Sequence, residues 1–111
     1  MLNSVIETPH FSNEMNGLLL ETELKALVNH LAANPLDGDL VQGTGGVRKI
    51  RWARGGRGKS SGVRVIYYYH SERLPLFLLT VFAKGDAANL SKAQRNELAS
   101  LVTILKELAH D

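Results

Sequence analysis

Apolar residues recur along this chain with two different periods, and the change of period marks its organisation. Leu20, Leu24, Leu27, Val28 and Leu31 fall at helical spacing and predict an amphipathic helix. Asn34 precedes Pro35, and proline disfavours helical backbone in the residue before it, so that helix ends there. Upstream, Thr8-Pro9 reads as the N-cap and first residue of a shorter helix carrying Phe11 and Met15, broken at Gly17. Ser4-Val5-Ile6 is compatible with a short strand before it.

Beyond a Gly- and Asp-containing loop from Pro35 to Gly46 the pattern becomes that of strands. Three are predicted: Val47 to Ala53, Val63 to Tyr69, and Leu76 to Phe82. The first two are joined by a glycine-rich loop, Arg54 to Gly62, and the last two by the turn Ser71 to Pro75. Such short connections predict antiparallel pairing. Helical period then returns: Ser91 and Gln94 form a capping-box pair, and Leu98, Leu101, Val102, Leu105 and Leu108 make a buried stripe. The expectation is one α+β domain over residues 1–111, with two N-terminal helices, a small antiparallel sheet and a C-terminal helix.

Composition narrows the class without naming a function. An apolar content of 44% fits a globular chain. With no cysteine, disulfides and thiolate metal sites are excluded, which fits a reducing cytoplasm. The N-terminal residues lack the basic start and long apolar run of a signal peptide, and the most apolar stretch, Leu76 to Ala83, is too short to span a bilayer. No membrane partner is expected.

Charge changes the picture more. The net value of +2 conceals a division: residues 1–39 carry six acids and one base, whereas residues 40–71 carry seven bases and no acid. The seven are Arg48, Lys49, Arg51, Arg54, Arg57, Lys59 and Arg64. Uncompensated positive charge repels itself, so a cluster of this kind points to an anionic partner, with a nucleic-acid backbone leading.

Strand alternation sorts these cations. It places Lys49 and Arg51 on one face and Arg48, Ile50 and Trp52 on the other. Arg64, Ile66 and Tyr68 share a face of the next strand. If the two strands are neighbours, Lys49, Arg51 and Arg64 converge where a phosphate would sit well. Arginine offers paired planar donors to phosphate oxygens. A lysine crowded by cations is driven toward its neutral form, which can accept a proton. From charge pattern alone, simple gripping of a phosphate backbone is the commoner use of such a patch.

Three segments sharpen this reading: Gln42-Gly43-Thr44-Gly45-Gly46-Val47-Arg48-Lys49-Ile50-Arg51-Trp52-Ala53, Gly62-Val63-Arg64-Val65-Ile66-Tyr67-Tyr68, and Leu78-Leu79-Thr80-Val81-Phe82-Ala83-Lys84. Together they resemble the RelE/HigB superfamily of bacterial toxins, and within it the HigB-like branch. The resemblance implies a small ribonuclease-like α+β fold and metal-independent cleavage of messenger RNA on a translating ribosome, which halts protein synthesis. It implies no cofactor. It implies as partners a cognate antitoxin of helix-turn-helix type, the ribosome and mRNA. It assigns the chemistry to Lys49, Arg51 and Arg64, with Lys84 matching a further basic residue. Attack of a ribose 2′-hydroxyl on the adjacent phosphate is the implied reaction: Lys49 as base or electrostatic partner, Arg51 and Arg64 holding the phosphate, and Lys84 aiding the leaving group or binding backbone. Arg48, Arg54, Arg57 and Lys59 are the expected RNA or ribosome contacts. RelE has a catalytic tyrosine before its last helix, and Leu90 stands at the comparable place here. Two other readings stay open: a noncatalytic RNA- or ribosome-binding module, and an inactive relative acting with an antitoxin in repression.

The remaining signals are weaker. Ala53 to Ser60 nearly matches a phosphate-binding P-loop, but a strand and not a helix is predicted after it. His10, His30, His70 and His110 are scattered without metal-ligand spacing, although His70 ends a strand beside the basic hairpin. Trp52 shares a face with Ile50 and is expected in the core in preference to stacking on a base. Tyr67, Tyr68 and Tyr69 are candidate stacking residues but, as strand tyrosines, fit a core better.

Overall fold

The computed structural model describes residues 3–52, 62–83 and 90–109. Strand β1 (Val5–Glu7) is followed by helices α1 (Pro9–Glu14) and α2 (Glu21–Ala33). Strands β2 (Asp39–Leu40), β3 (Val47–Trp52), β4 (Val63–Tyr68) and β5 (Leu76–Ala83) come next, and helix α3 (Lys92–Glu107) last. They build one five-stranded sheet in the order β1-β5-β4-β3-β2. The pairs β2–β3, β3–β4 and β4–β5 are antiparallel; β1 lies parallel to β5.

The α+β class expected from the sequence is what forms, with a larger sheet. The loop assigned to residues 35–46 contains β2, and β1 makes the sheet mixed where it was expected to be antiparallel. A short strand at residues 4–6 is compatible with the sequence, so what is new at β1 is its parallel pairing; β2, recruited by β3, leaves little local signal.

Helix starts follow the local chemistry. The Thr8 hydroxyl accepts the Phe11 amide at the start of α1 and donates to the Leu78 carbonyl of β5 at 2.8 Å, so one side chain caps a helix and ties it to the sheet. Pro9 sits in the first turn, where its missing N–H costs nothing. At α3 the Ser91 hydroxyl accepts the Gln94 amide at 3.1 Å, and the Gln94 side chain accepts the Ser91 amide at 2.8 Å. Periodicity overreached at two helix ends. Leu20 is the N-cap of α2 and Leu108 the C-cap of α3; they are 65% and 63% exposed, outside the buried stripes in which they were expected.

Helices cover both faces of the sheet. On one, α1 and α2 bury Phe11, Leu24, Leu27 and Leu31 against Val63, Val65, Tyr67 and Leu78. On the other, Val102 and Leu105 of α3 meet Val47, Ile66, Tyr68 and Leu79. This double cover explains why β4 and β5 read as nearly unbroken apolar runs. Each fully buried large aliphatic or Phe side chain contributes about 1.5–3 kcal/mol. Trp52 packs against the first of these cores as expected, its ring 5.3 Å from that of His30.

The glycines of the Gln42 to Gly46 segment serve the turn into β3. Gly43, Gly45 and Gly46 have φ of +80°, +80° and +132°, a region that side-chain-bearing residues rarely adopt. The buried Thr44 hydroxyl donates to the Val41 carbonyl at 2.7 Å and accepts the Val47 amide at 3.1 Å, closing the turn.

Candidate nucleic-acid interface

The β3–β4 register decides which cations meet. Arg51 lies directly opposite Arg64, and Lys49 opposite Ile66. Ile66 belongs to the core beneath α3, so Lys49, Arg51 and Arg64 all belong to the α3 side of the sheet. Directly paired residues hold their Cβ atoms about 4.5–5.5 Å apart, and like charges at that range destabilise the pair. The neighbour of Arg64 on its other side is Phe82 of β5, which offers no counter-charge.

Exposure grades the three. Arg51 is exposed, whereas Lys49 and Arg64 are partly buried. The Arg64 Nη1 atom is buried and has no hydrogen-bond partner among the described residues. Leaving a buried donor unpaired is costly, more so for a charged one. Among the described residues none of the three cations is in an ion pair; the pair seen there is His30–Asp37, at 2.7 Å.

The other expected contacts divide into two groups. Lys84, Arg54, Arg57 and Lys59 lie outside the described residues. Arg48 belongs to the opposite face, where its Nη1 donates to the carbonyls of Gly38 at 2.7 Å and Leu36 at 3.2 Å. It is thus set apart from Lys49, Arg51 and Arg64, and its guanidinium straps the segment before β2 onto the sheet.

The tyrosines are taken by the fold. Tyr67 is 0% and Tyr68 2% exposed, one in each core, so neither presents a ring for stacking. Burial raises both phenols above their ordinary value of 10.0, because the phenolate would lose its hydration. Leu90 is 7% exposed and packs in the core beneath α3. His70 is exposed, with its Nδ1 on the Ser71 hydroxyl at 3.0 Å.

Sequence reading missed two charged residues that join this face. Asp39 of β2 is the direct partner of Lys49 across the β2–β3 pair. Arg95, in the first turn of α3, anchors its Nη1 on the Leu90 carbonyl at 2.8 Å. Together with Lys49 they line an open cleft of about 660 Å³ between the sheet edge and the start of α3. Recognising Asp39-Leu40 as a strand would have exposed the first of them; the second had no local signal.

This architecture has relatives. A family model described as the RelE toxin of the RelE/RelB toxin–antitoxin system matches residues 4–111. Among solved structures, a double-arginine mutant of E. coli toxin RelE in the free state matches with a TM-score of 0.57 at 18% identity, over 94% of this chain and 99% of that one. At that identity the likeness speaks for the fold, while the match over almost the whole sequence speaks for descent. The chain belongs to the RelE toxin family, the toxins of a system in which each has a cognate antitoxin.

Proposed function

We propose that this toxin is an endoribonuclease that cleaves messenger RNA on the translating ribosome and so stops protein synthesis. The observation that carries the reading is the Arg51–Arg64 cross-strand pair, with Lys49 on the same face. Such an arrangement stabilises extra negative charge on a phosphate. Cleavage by a neighbouring 2′-hydroxyl develops that charge in its transition state. Arg51 and Arg64 hold the phosphate oxygens. Lys49 takes up the hydroxyl proton or balances the charge as it forms. Lys84, outside the described residues, is assigned to the leaving group or to backbone binding. The RNA is the substrate, the ribosome presents it in the cytoplasm, and a helix-turn-helix antitoxin blocks access to the cationic face.

A test is primer-extension mapping of mRNA in a translation reaction with purified toxin. Arg64→Ala is expected to lower cleavage about 10²–10³-fold, the usual effect of removing one donor to a developing oxyanion. Full cleavage by a folded Arg64→Ala protein overturns the assignment. RNA binding without cutting by the unsubstituted toxin would favour the noncatalytic reading, which the absence of an exposed tyrosine among the described residues of this face also suits.

A further inference from the structure

The cleft beside Lys49 has a composition that a bare phosphate site lacks. Its floor and walls combine two cations, Lys49 and Arg95, with the carboxylate of Asp39, the amide of Gln42, and the apolar side chains of Leu40 and Leu90. Leu40 is 61% exposed, an apolar surface left open to solvent at the sheet edge. A volume of about 660 Å³ lies within the roughly 300–1,000 Å³ of small-ligand sites.

Asp39 is the informative member. It faces Lys49 in register yet makes no ion pair among the described residues. A carboxylate pointed toward a phosphate alone would repel it. A carboxylate beside a phosphate site is useful where the ligand also carries N–H donors, because its two oxygens accept two parallel hydrogen bonds. Guanine presents such a pair, N1–H and the exocyclic amino group, on the edge that single-stranded RNA leaves free. Arg95 complements this. With Nη1 held by the Leu90 carbonyl, the rest of its guanidinium has a fixed aim and remains able to grip a phosphate.

We infer that this cleft is a nucleotide-reading subsite, in which Asp39 selects guanine next to the scissile phosphate and Arg95 holds the neighbouring phosphate. Leu40 and Leu90 supply the apolar contact for the base. Asp39 is thereby a specificity residue and Arg95 a positioning residue. The inference rests on the proposed ribonuclease reading, since it places the base relative to the phosphate held by Lys49, Arg51 and Arg64.

Two measurements separate the failure of one from the failure of the other. In the first, cut sites are mapped across a set of mRNAs translated with unsubstituted, Asp39→Asn and Arg95→Ala toxin. The carboxamide keeps the size of Asp39 but gives up one acceptor, so the ratio of cuts beside guanine to cuts elsewhere is expected to fall about tenfold. Arg95→Ala is expected to lower cutting at all sites by about tenfold with the guanine preference kept. An unchanged guanine ratio in Asp39→Asn overturns the inference. So does loss of cutting at every site by a folded Asp39→Asn protein, which would give Asp39 a part in the reaction and not in the choice of base. In the second, guanosine and cytidine 5′-monophosphates are titrated into the unsubstituted toxin and amide resonances followed. Shifts at Asp39, Gln42 and Arg95 with the guanosine nucleotide alone support the subsite even if no mRNA is cut. Equal shifts, or none, overturn it.

Discussion

The Tyr67 hydroxyl accepts the Gly38 amide at 2.8 Å, and the same oxygen donates to the Pro35 carbonyl at 2.9 Å. A β4 side chain thus fastens the segment that leads into β2 and Asp39. Tyr67→Phe removes both bonds and strands a buried N–H, an expected cost of about 1–3 kcal/mol. Urea denaturation checks this; a loss below about 0.5 kcal/mol would mean the segment holds by other means.

Gly38 has no room for a side chain. A Cβ there would stand 2.8 Å from the Tyr67 ring and 3.0 Å from the Lys49 carbonyl. Gly38→Ala is expected to destabilise by about 1–3 kcal/mol through displacement of Tyr67. In a double-mutant cycle with Tyr67→Phe the two costs should fall short of additive, because both damage one contact.

The same phenol predicts an alkaline limit. Burial, outweighing the pull of the Gly38 bond and of Arg48, raises the Tyr67 pKa above 10.0. The folded state therefore holds this proton more tightly than the unfolded state. Its contribution is complete below about pH 10 and is lost as pH climbs toward the raised folded value. The urea midpoint should fall above pH 10, and fall less in Tyr67→Phe, where the phenol of Tyr68 still titrates in its own core.

Leu105 and Leu108 lie one helical turn apart at the end of α3 and should respond very differently. Leu105→Ala empties a buried site and is expected to cost about 2–5 kcal/mol. Leu108 is 63% exposed, so Leu108→Ala should stay within about 0.5 kcal/mol. Thermal melts of the two variants decide it.

Arg51 and Arg48 separate binding from scaffolding. Arg51→Ala should flatten the salt dependence of single-stranded RNA affinity by about 0.7 in log–log slope, the contribution of one phosphate contact. Arg48→Ala should leave that slope alone and lower stability, since its guanidinium holds the Leu36 and Gly38 carbonyls. Fluorescence anisotropy at several salt concentrations, with melts in parallel, distinguishes them.

Much of this was legible because it is local. Thr8-Pro9 and Ser91 with Gln94 mark helix starts through bonds spanning three residues, and alternation alone aligns Lys49 with Arg51. What escaped depends on distant partners. Asp39-Leu40 becomes a strand only because β3 pairs with it, and the parallel pairing of β1 is set by β5. Arg48 read as one more free cation because its acceptors are backbone carbonyls, which leave no trace in residue identity. Asp39 and Arg95 reach the cleft from two different elements, so neither announces itself by spacing.

Thr8 binds Leu78 although 70 residues separate them. Closing so wide a span is slow, whereas the β3–β4 hairpin joins residues near one another in the chain. During vectorial synthesis the N-terminal ribbon waits, unpaired, until β5 has left the exit tunnel. The arginine-bearing hairpin can assemble before the shell that makes it rigid. A nascent toxin therefore passes through an interval in which its N-terminal edge is open to capture.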